Sequence, residues 1–275
     1  MKQINISVNA LSQLSCARLY QFRSVMRLAI SDEVFKWGTA IHEYREAIDK
    51  NKPEPILSIA MRHGIKDPGA IYAASLSLDQ QAFPPICRDV NNTPMSEWQF
   101  GFPYKTINDK YQINLRGIID RIDIVQGAVR VLDYKSTRKA DKSAALAEWG
   151  SQLQLPFYIF VLTKFLCHLL PDELAAKVSA GKIFGQHLGI FLSAKPPCVG
   201  LSSGVSVTPD TFDEIEWLLD DLILKTCAIH ELGDRLAYPE GSAYGLCHKC
   251  NFLPICLIKN KDKQQETITN YARSN

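Results

Sequence analysis

The chain has 275 residues, 46% of them apolar, and its 31 Lys and Arg against 29 Asp and Glu leave a formal net charge of +2. That length supports one substantial core with peripheral insertions, or two modest domains, without the staples a disulfide miniprotein needs. A near-balanced charge permits a nucleic-acid partner without requiring one, and the eight cysteines are too unevenly spread for a disulfide framework.

The first 23 residues lack an apolar run followed by a small-residue cleavage site, so a secretory leader is not expected. Residues Ser7 to Phe22 read as an extended stretch and then a short helix carrying Cys16, and Lys36 to Ile48 as a second helix carrying His42. Between Asn51 and Asn92, five prolines interrupt apolar patches, which predicts short helices and loops; residues 51–95 are expected to form a variable insertion or a cap over the substrate path. Glu97 to Tyr104, Tyr111 to Val125 and Ala128 to Tyr134 read as a three-stranded meander, with turns near Asn108-Asp109 and Gln126-Gly127. Lys142 to Leu170 reads as mostly helical, broken at Gly150 and strained by Pro156; its apolar part contains Pro156, Lys164 and His168 and falls short of a membrane span. Ile183 to Leu192 reads as a buried strand, Pro209 to Leu232 as a long amphipathic helix, and residues 238–256 as an irregular cysteine-bearing segment before a polar tail over 261–275. This order of elements implies an α/β core within a single catalytic domain over residues 1–260, in a soluble cytoplasmic or otherwise intracellular protein.

The meander carries the chemistry. Alternate side chains of a strand share a face, so Asp133 and Lys135 point together and Tyr134 points into the opposite layer, while Asp120 on the partner strand meets them at the edge of one β-hairpin. Two carboxylates and a backbone carbonyl, that of Tyr134, suit a hard divalent ion such as Mg²⁺ or Mn²⁺, which polarises a phosphate oxygen and makes a water nucleophilic. Lys135 is placed to orient that water or to stabilise charge in the transition state. Asp123 falls on the face opposite Asp120 and reads as a surface polar residue or one on the Arg121 side. Glu97, at a strand start, fits a second metal and a surface acid about equally well. Arg116, Arg121, Arg130, Lys135, Arg138, Lys139 and Lys142 are expected to form basic surroundings that meet a phosphate backbone.

Cys247, Cys250 and Cys256 form Cys-x2-Cys-x5-Cys, which reads as a metal site with Cys16 or His248 as the fourth ligand; spacing alone leaves zinc and an iron–sulfur cluster balanced. Cys87, Cys167, Cys198 and Cys227 read as core or semi-buried thiols. No Gly-x4-Gly-Lys-[Ser/Thr] motif occurs, so any helicase motor would be a partner.

Taken together, GTAIH around His42, the Asp120 hairpin, Asp133-Tyr134-Lys135 and Gln154-x3-Tyr158 resemble the motifs of PD-(D/E)XK nucleases. With the cysteines, the chain resembles their RecB-like branch, which includes the CRISPR-associated spacer-acquisition exonuclease and the nuclease domains of helicase–nuclease recombination complexes. The resemblance implies a restriction-endonuclease-like mixed sheet flanked by helices. It also implies His42, Asp120 and Asp133 as metal ligands, and Gln154 and Tyr158 supporting the site from one helical face. A [4Fe–4S] cluster on Cys16, Cys247, Cys250 and Cys256 would join the two ends of the chain. It further implies metal-dependent DNA hydrolysis, an exonuclease on single strands or ends being favoured, with helicase, recombination or CRISPR proteins as partners. The competing expectation is a catalytically silent nucleic-acid-binding or assembly module carrying an iron–sulfur or zinc site.

Overall fold

A computed structural model describes residues 1–14, 16–28, 33–66, 68–137, 139, 141–150, 152–195, 197–232, 247, 250, 252 and 256. The chain divides into two compact units, one made of residues 1–31, 101–116 and 216–275 and the other of residues 32–100 and 117–215. Strands β2 (Ser96–Ile107) and β3 (Tyr111–Val125) run through both.

In the first unit, β1 (Lys2–Ile6) pairs in parallel with the start of β3, Lys2 beside Tyr111 and Ile6 beside Leu115. This strand was not expected; its only apolar pair, Ile4 and Ile6, gives too short an alternation to stand out, yet both are buried. Two short helices follow, α1 (Val8–Gln13) and α2 (Ala17–Tyr20), and α2 runs into a wider π-helical turn over Gln21–Val25. Phe22, Leu28 and Phe252 form a small core with Cys250 and Cys256 at its edge.

The second unit holds the larger core. After β3 the chain turns at Gln126-Gly127, both in the left-handed region (φ 50° and 80°), as a tight hairpin requires. It returns antiparallel as β4 (Ala128–Thr137), with Arg121 opposite Leu132 and Asp123 opposite Arg130. β4 pairs in parallel with β5 (Ile183–Phe191), which pairs antiparallel with β6 (Cys198–Leu201), so the sheet is mixed, in the order β1-β3-β4-β5-β6 with β2 against β3.

Helices cover both faces of this unit's sheet. Leu132, Tyr134, Leu188 and Ile190 share one face and pack on α3 (Glu33–Asp49), α4 (Ile56–Arg62) and α5 (Pro68–Asp79). The segment over 51–95 thus contributes to the core, through Ile56, Ile59, Ile71 and Leu78. The other face receives α6 (Lys142–Gly150) and α7 (Gln154–Lys164): Trp149 and Ala145 pack on Phe191, and Leu155 lies against Gly185, where a Cβ would sit 2.8 Å from Leu155 Cβ. The expected break at Gly150 is present, whereas Pro156 causes no kink, because it falls in the first turn of α7, where helical N–H groups have no intrahelical acceptor. The helix ends at Lys164, short of the expected Leu170, and α8 (Asp172–Ser179) leads to β5. The long α9 (Pro209–Glu231) closes the described elements.

The cysteine expectation is corrected here. Cys16, Cys247, Cys250 and Cys256 are free thiols and do not form a convergent ligand set, so no cysteine cluster joins the chain ends among the described residues. Burial and the neighbouring sulfurs of Cys16, Cys256 and Cys247 raise the Cys250 thiol above its ordinary value. Arg18 Nη1 instead donates to the Cys256 carbonyl at 3.3 Å. Residue His248, most of the segment 238–256 and the tail over 261–275 lie outside the described residues. Cys87 and Cys227 are buried, and Cys167 and Cys198 half-buried, as expected.

Candidate active site

The hairpin register creates the centre of the site. The β3–β4 ladder runs as far as Arg121 and Leu132, so Asp120 and Asp133 come next, side by side. There the pairing changes character: the Tyr134 N–H donates at 2.6 Å to Asp120 Oδ2, a side chain, and the Asp120 carboxylate is thereby fixed where regular pairing stops. The Tyr134 ring enters the opposite layer, as alternation predicts, and meets His42 edge-on at 5.6 Å between ring centres.

From α3, His42 Nδ1 reaches Glu97 Oε1 at 2.8 Å and Asp120 Oδ1 at 3.5 Å. Ligand atoms of His42, Glu97 and Asp120 all lie within 4.8 Å of one another, the convergent group of potential metal ligands among the described residues. An octahedral ion with ligands at about 2.1 Å separates its donors by roughly 3–4 Å, so this set fits one hard divalent cation. Glu97 adopts φ 47°, a left-handed conformation uncommon for glutamate, and this backbone strain accompanies its side chain's turn toward His42. A local backbone twist leaves no mark in residue order, which is why Glu97 fits a surface acid equally well from sequence alone.

Burial and mutual charge set the ionisation of these groups. Burial alone lowers the His42 pKa, but the charge of Asp120, the hydrogen bond and charge of Glu97 and the charge of Asp133 outweigh it and raise it to about 9. Asp120 is pushed up to about 8, by burial first and then by Asp133 and Glu97, against the pull of His42 and the Tyr134 N–H. Asp133 is held below the ordinary carboxylate range: burial opposes ionisation, but His187 and Lys135 more than compensate. Three carboxylates so close together favour a cation among them.

Asp133 and Lys135 do share a face. Lys135 Nζ lies 3.0 Å from Asp133 Oδ2 and donates at 2.5 Å to Gln154 Oε1, while Gln154 Nε2 reaches the Tyr158 hydroxyl at 3.4 Å. Gln154 and Tyr158 thus act as one unit on the first turns of α7, four residues apart on one face. Tyr158 packs edge-on against Phe100 over Gly117. His187, directly beside Asp133 in β5, donates from Nδ1 to Asp133 Oδ2 at 2.9 Å and is fully buried. It escaped the sequence reading, though a lone histidine amid the apolar residues of β5 was the available signal.

The expected basic surroundings are smaller than the sequence implied. Arg121 and Arg130 are buried on Asp123, with Arg130 Nη2 and Arg121 Nε at 2.8 and 3.0 Å from its Oδ2, and Arg121 also pairs with Asp49. Asp123 lies on the Arg121 side as expected, but in the core rather than on the surface. Lys139 pairs with Glu148, and Lys142 Nζ donates to the Val199 carbonyl at 3.1 Å; Arg138 lies outside the described residues.

A mixed sheet flanked by helices thus gathers acids, a histidine and a lysine where two strands stop pairing, an arrangement consistent with a metal-dependent nuclease. The family model of the PD-(D/E)XK nuclease superfamily matches residues 5–257, and the chain belongs to that superfamily. Membership is established at that level only: no RecB-like or CRISPR-specific relation is supported, and the potential metal ligands that converge among the described residues are His42, Glu97 and Asp120, not the cysteines expected to hold an iron–sulfur cluster. No curated protein matches. Among solved structures, a putative exonuclease from Eubacterium rectale is similar in fold, with a TM-score of 0.50 at 10% identity over 93% of this chain and 89% of that one. SSO0001 aligns with a TM-score of 0.36 at 16% identity, covering 94% of this chain and 89% of its own. No helix among the described residues is long and apolar enough to cross a membrane.

Proposed function

We propose that this protein is a metal-dependent deoxyribonuclease that hydrolyses phosphodiester bonds, acting as an exonuclease on single-stranded DNA or DNA ends. The observation that carries the reading is the convergence of His42, Glu97 and Asp120 beside the Asp133–Lys135 pair. The exonuclease preference draws on the fold's likeness to the putative exonuclease of Eubacterium rectale.

His42, Glu97 and Asp120 would hold Mg²⁺ or Mn²⁺, with Asp133 and the Tyr134 carbonyl completing the oxygen-rich set. When bound, the ion supplies Lewis-acid polarisation of a phosphate oxygen and activation of water. The protein does the positioning. Tyr134 N–H fixes the Asp120 carboxylate, and Gln154 holds the Lys135 ammonium beside Asp133 where the β3–β4 pairing stops, placed to donate to the attacking water or to the phosphate oxygen that gains charge. Tyr158 braces Gln154 through its hydroxyl. None of these groups reads a base, so the reading implies little sequence preference.

The test compares wild type and Lys135→Ala on end-labelled linear and closed circular single-stranded DNA with Mn²⁺, Mg²⁺ or EDTA. Metal-dependent cutting of the linear strand, sparing of the circle, and a loss of about 10²–10³-fold in Lys135→Ala are expected. Cutting of the circle would assign endonuclease activity instead, and absence of metal-dependent cleavage by wild type would overturn the reading.

A further inference from the structure

We propose that His187 is a positioning residue that fixes the Asp133 carboxylate for metal binding, an inference that rests on the nuclease reading above. The register of the parallel β4–β5 ladder sets His187 directly beside Asp133. Its Nδ1 lies 2.9 Å from Asp133 Oδ2, and because a carboxylate only accepts, that nitrogen carries the hydrogen. Lys135 Nζ reaches the same oxygen at 3.0 Å. Both donors engage Oδ2, which leaves Oδ1 as the oxygen open to an ion.

The surroundings show that the imidazole is held for this contact rather than for packing. Its two same-face neighbours along β5 are Gly185 and Gly189, at which a Cβ would come within 2.8 Å of Leu155 and 2.6 Å of Trp149. His187 is therefore the one side chain of these three positions, set between a leucine and a tryptophan that press on the strand. Its backbone is tied on both sides: the His187 N–H donates to Ser202 Oγ, and the Ser202 N–H donates to the His187 carbonyl, each at 2.9 Å. Its Nε2 is buried without a partner, a desolvation penalty that an apolar side chain would avoid. The contribution of an imidazole here lies on its Nδ1 side, toward Asp133. Histidines or carboxylates bonded behind a metal ligand typically tune affinity by 10–100-fold.

The test is calorimetric titration of metal-free, full-length protein with Mn²⁺, paired with cleavage of linear single-stranded DNA and a melting curve for each variant. His187→Asn sets an amide N–H close to the Nδ1 position, whereas His187→Gln sets it near Nε2 and His187→Leu removes the donor. We expect Leu and Gln to weaken Mn²⁺ binding at least about ten-fold and to raise the half-saturating Mn²⁺ in the DNA assay, with Asn within about three-fold of wild type. The Asn–Gln comparison decides the matter should the Leu variant not fold. Wild-type Mn²⁺ affinity in Leu or Gln, or equal losses in Asn and Gln, would overturn the positioning role while leaving the nuclease reading intact; a wild type that neither binds Mn²⁺ nor cuts DNA would remove both.

Discussion

Gly117 offers a quantitative test of how the sheet holds α7 in place. In Gly117→Ala the new Cβ falls 2.5 Å from Phe100 Cζ, 2.6 Å from Phe100 Cε1 and 3.2 Å from Tyr158 Cε1. Carbon atoms in contact rest about 3.5–4.0 Å apart, so the Phe100 ring must move by roughly 1 Å, and both rings are buried. Overpacking of this kind costs about 1–3 kcal/mol, which at about 2–4 °C per kcal/mol lowers Tm by about 2–12 °C. A displaced Tyr158 also loosens Gln154 and hence Lys135, so cleavage at 25 °C should fall by about ten-fold or more. The reasoning is specific enough to be rescued: Phe100→Leu deletes Cζ and Cε1, the two clashing atoms, at a cost of about 1 kcal/mol by itself. Thermal melts of both single variants and the double variant should show the double variant more stable than Gly117→Ala. Additive losses would refute the steric account.

Metal-free protein should lose stability as pH rises from 6.5 to 9. The raised His42 pKa contributes stability that is complete below 6.5 and disappears as pH passes through about 9, and the buried Asp120 carboxyl, raised from 3.8 to about 8, adds a penalty that is still growing from 6.5 and levels off near 8, because the unfolded chain gives up that proton first. Melting in EDTA across this range should show a Tm decline that Mn²⁺ flattens and that Asp120→Asn makes shallower; a flat profile in EDTA would count against the coupling. Asp123→Ala should destabilise the fold by about 3–5 kcal/mol in urea melts, since it strips Arg130 and Arg121 of their shared buried carboxylate; a loss under about 1 kcal/mol would count against that buried network.

Much of the architecture was legible because period and punctuation are local. The bounds of β3 follow from its apolar alternation and from Gln126-Gly127, and the shared face of Asp133 and Lys135 follows from a two-residue repeat. The four-residue spacing of Gln154 and Tyr158 likewise needed only helical geometry. Charge was less legible. Arg121 and Arg130 look like a basic surface in a linear reading, and only the Asp123–Arg130 register shows that they are neutralised inside the fold.

What the sequence by itself determined is the chemistry available at one hairpin: acids and a lysine at strand spacing, and a histidine on a helix, all within a nuclease superfamily pattern. Tertiary structure decided which of these groups converge. It brought Glu97 to His42 through a left-handed backbone twist and set His187 against Asp133 by the register of a parallel strand 54 residues away. Among the described residues the convergent group is His42, Glu97 and Asp120, with no cysteine in it. Convergence is a matter of angstroms between atoms on different elements, which spacing along a chain suggests but does not fix.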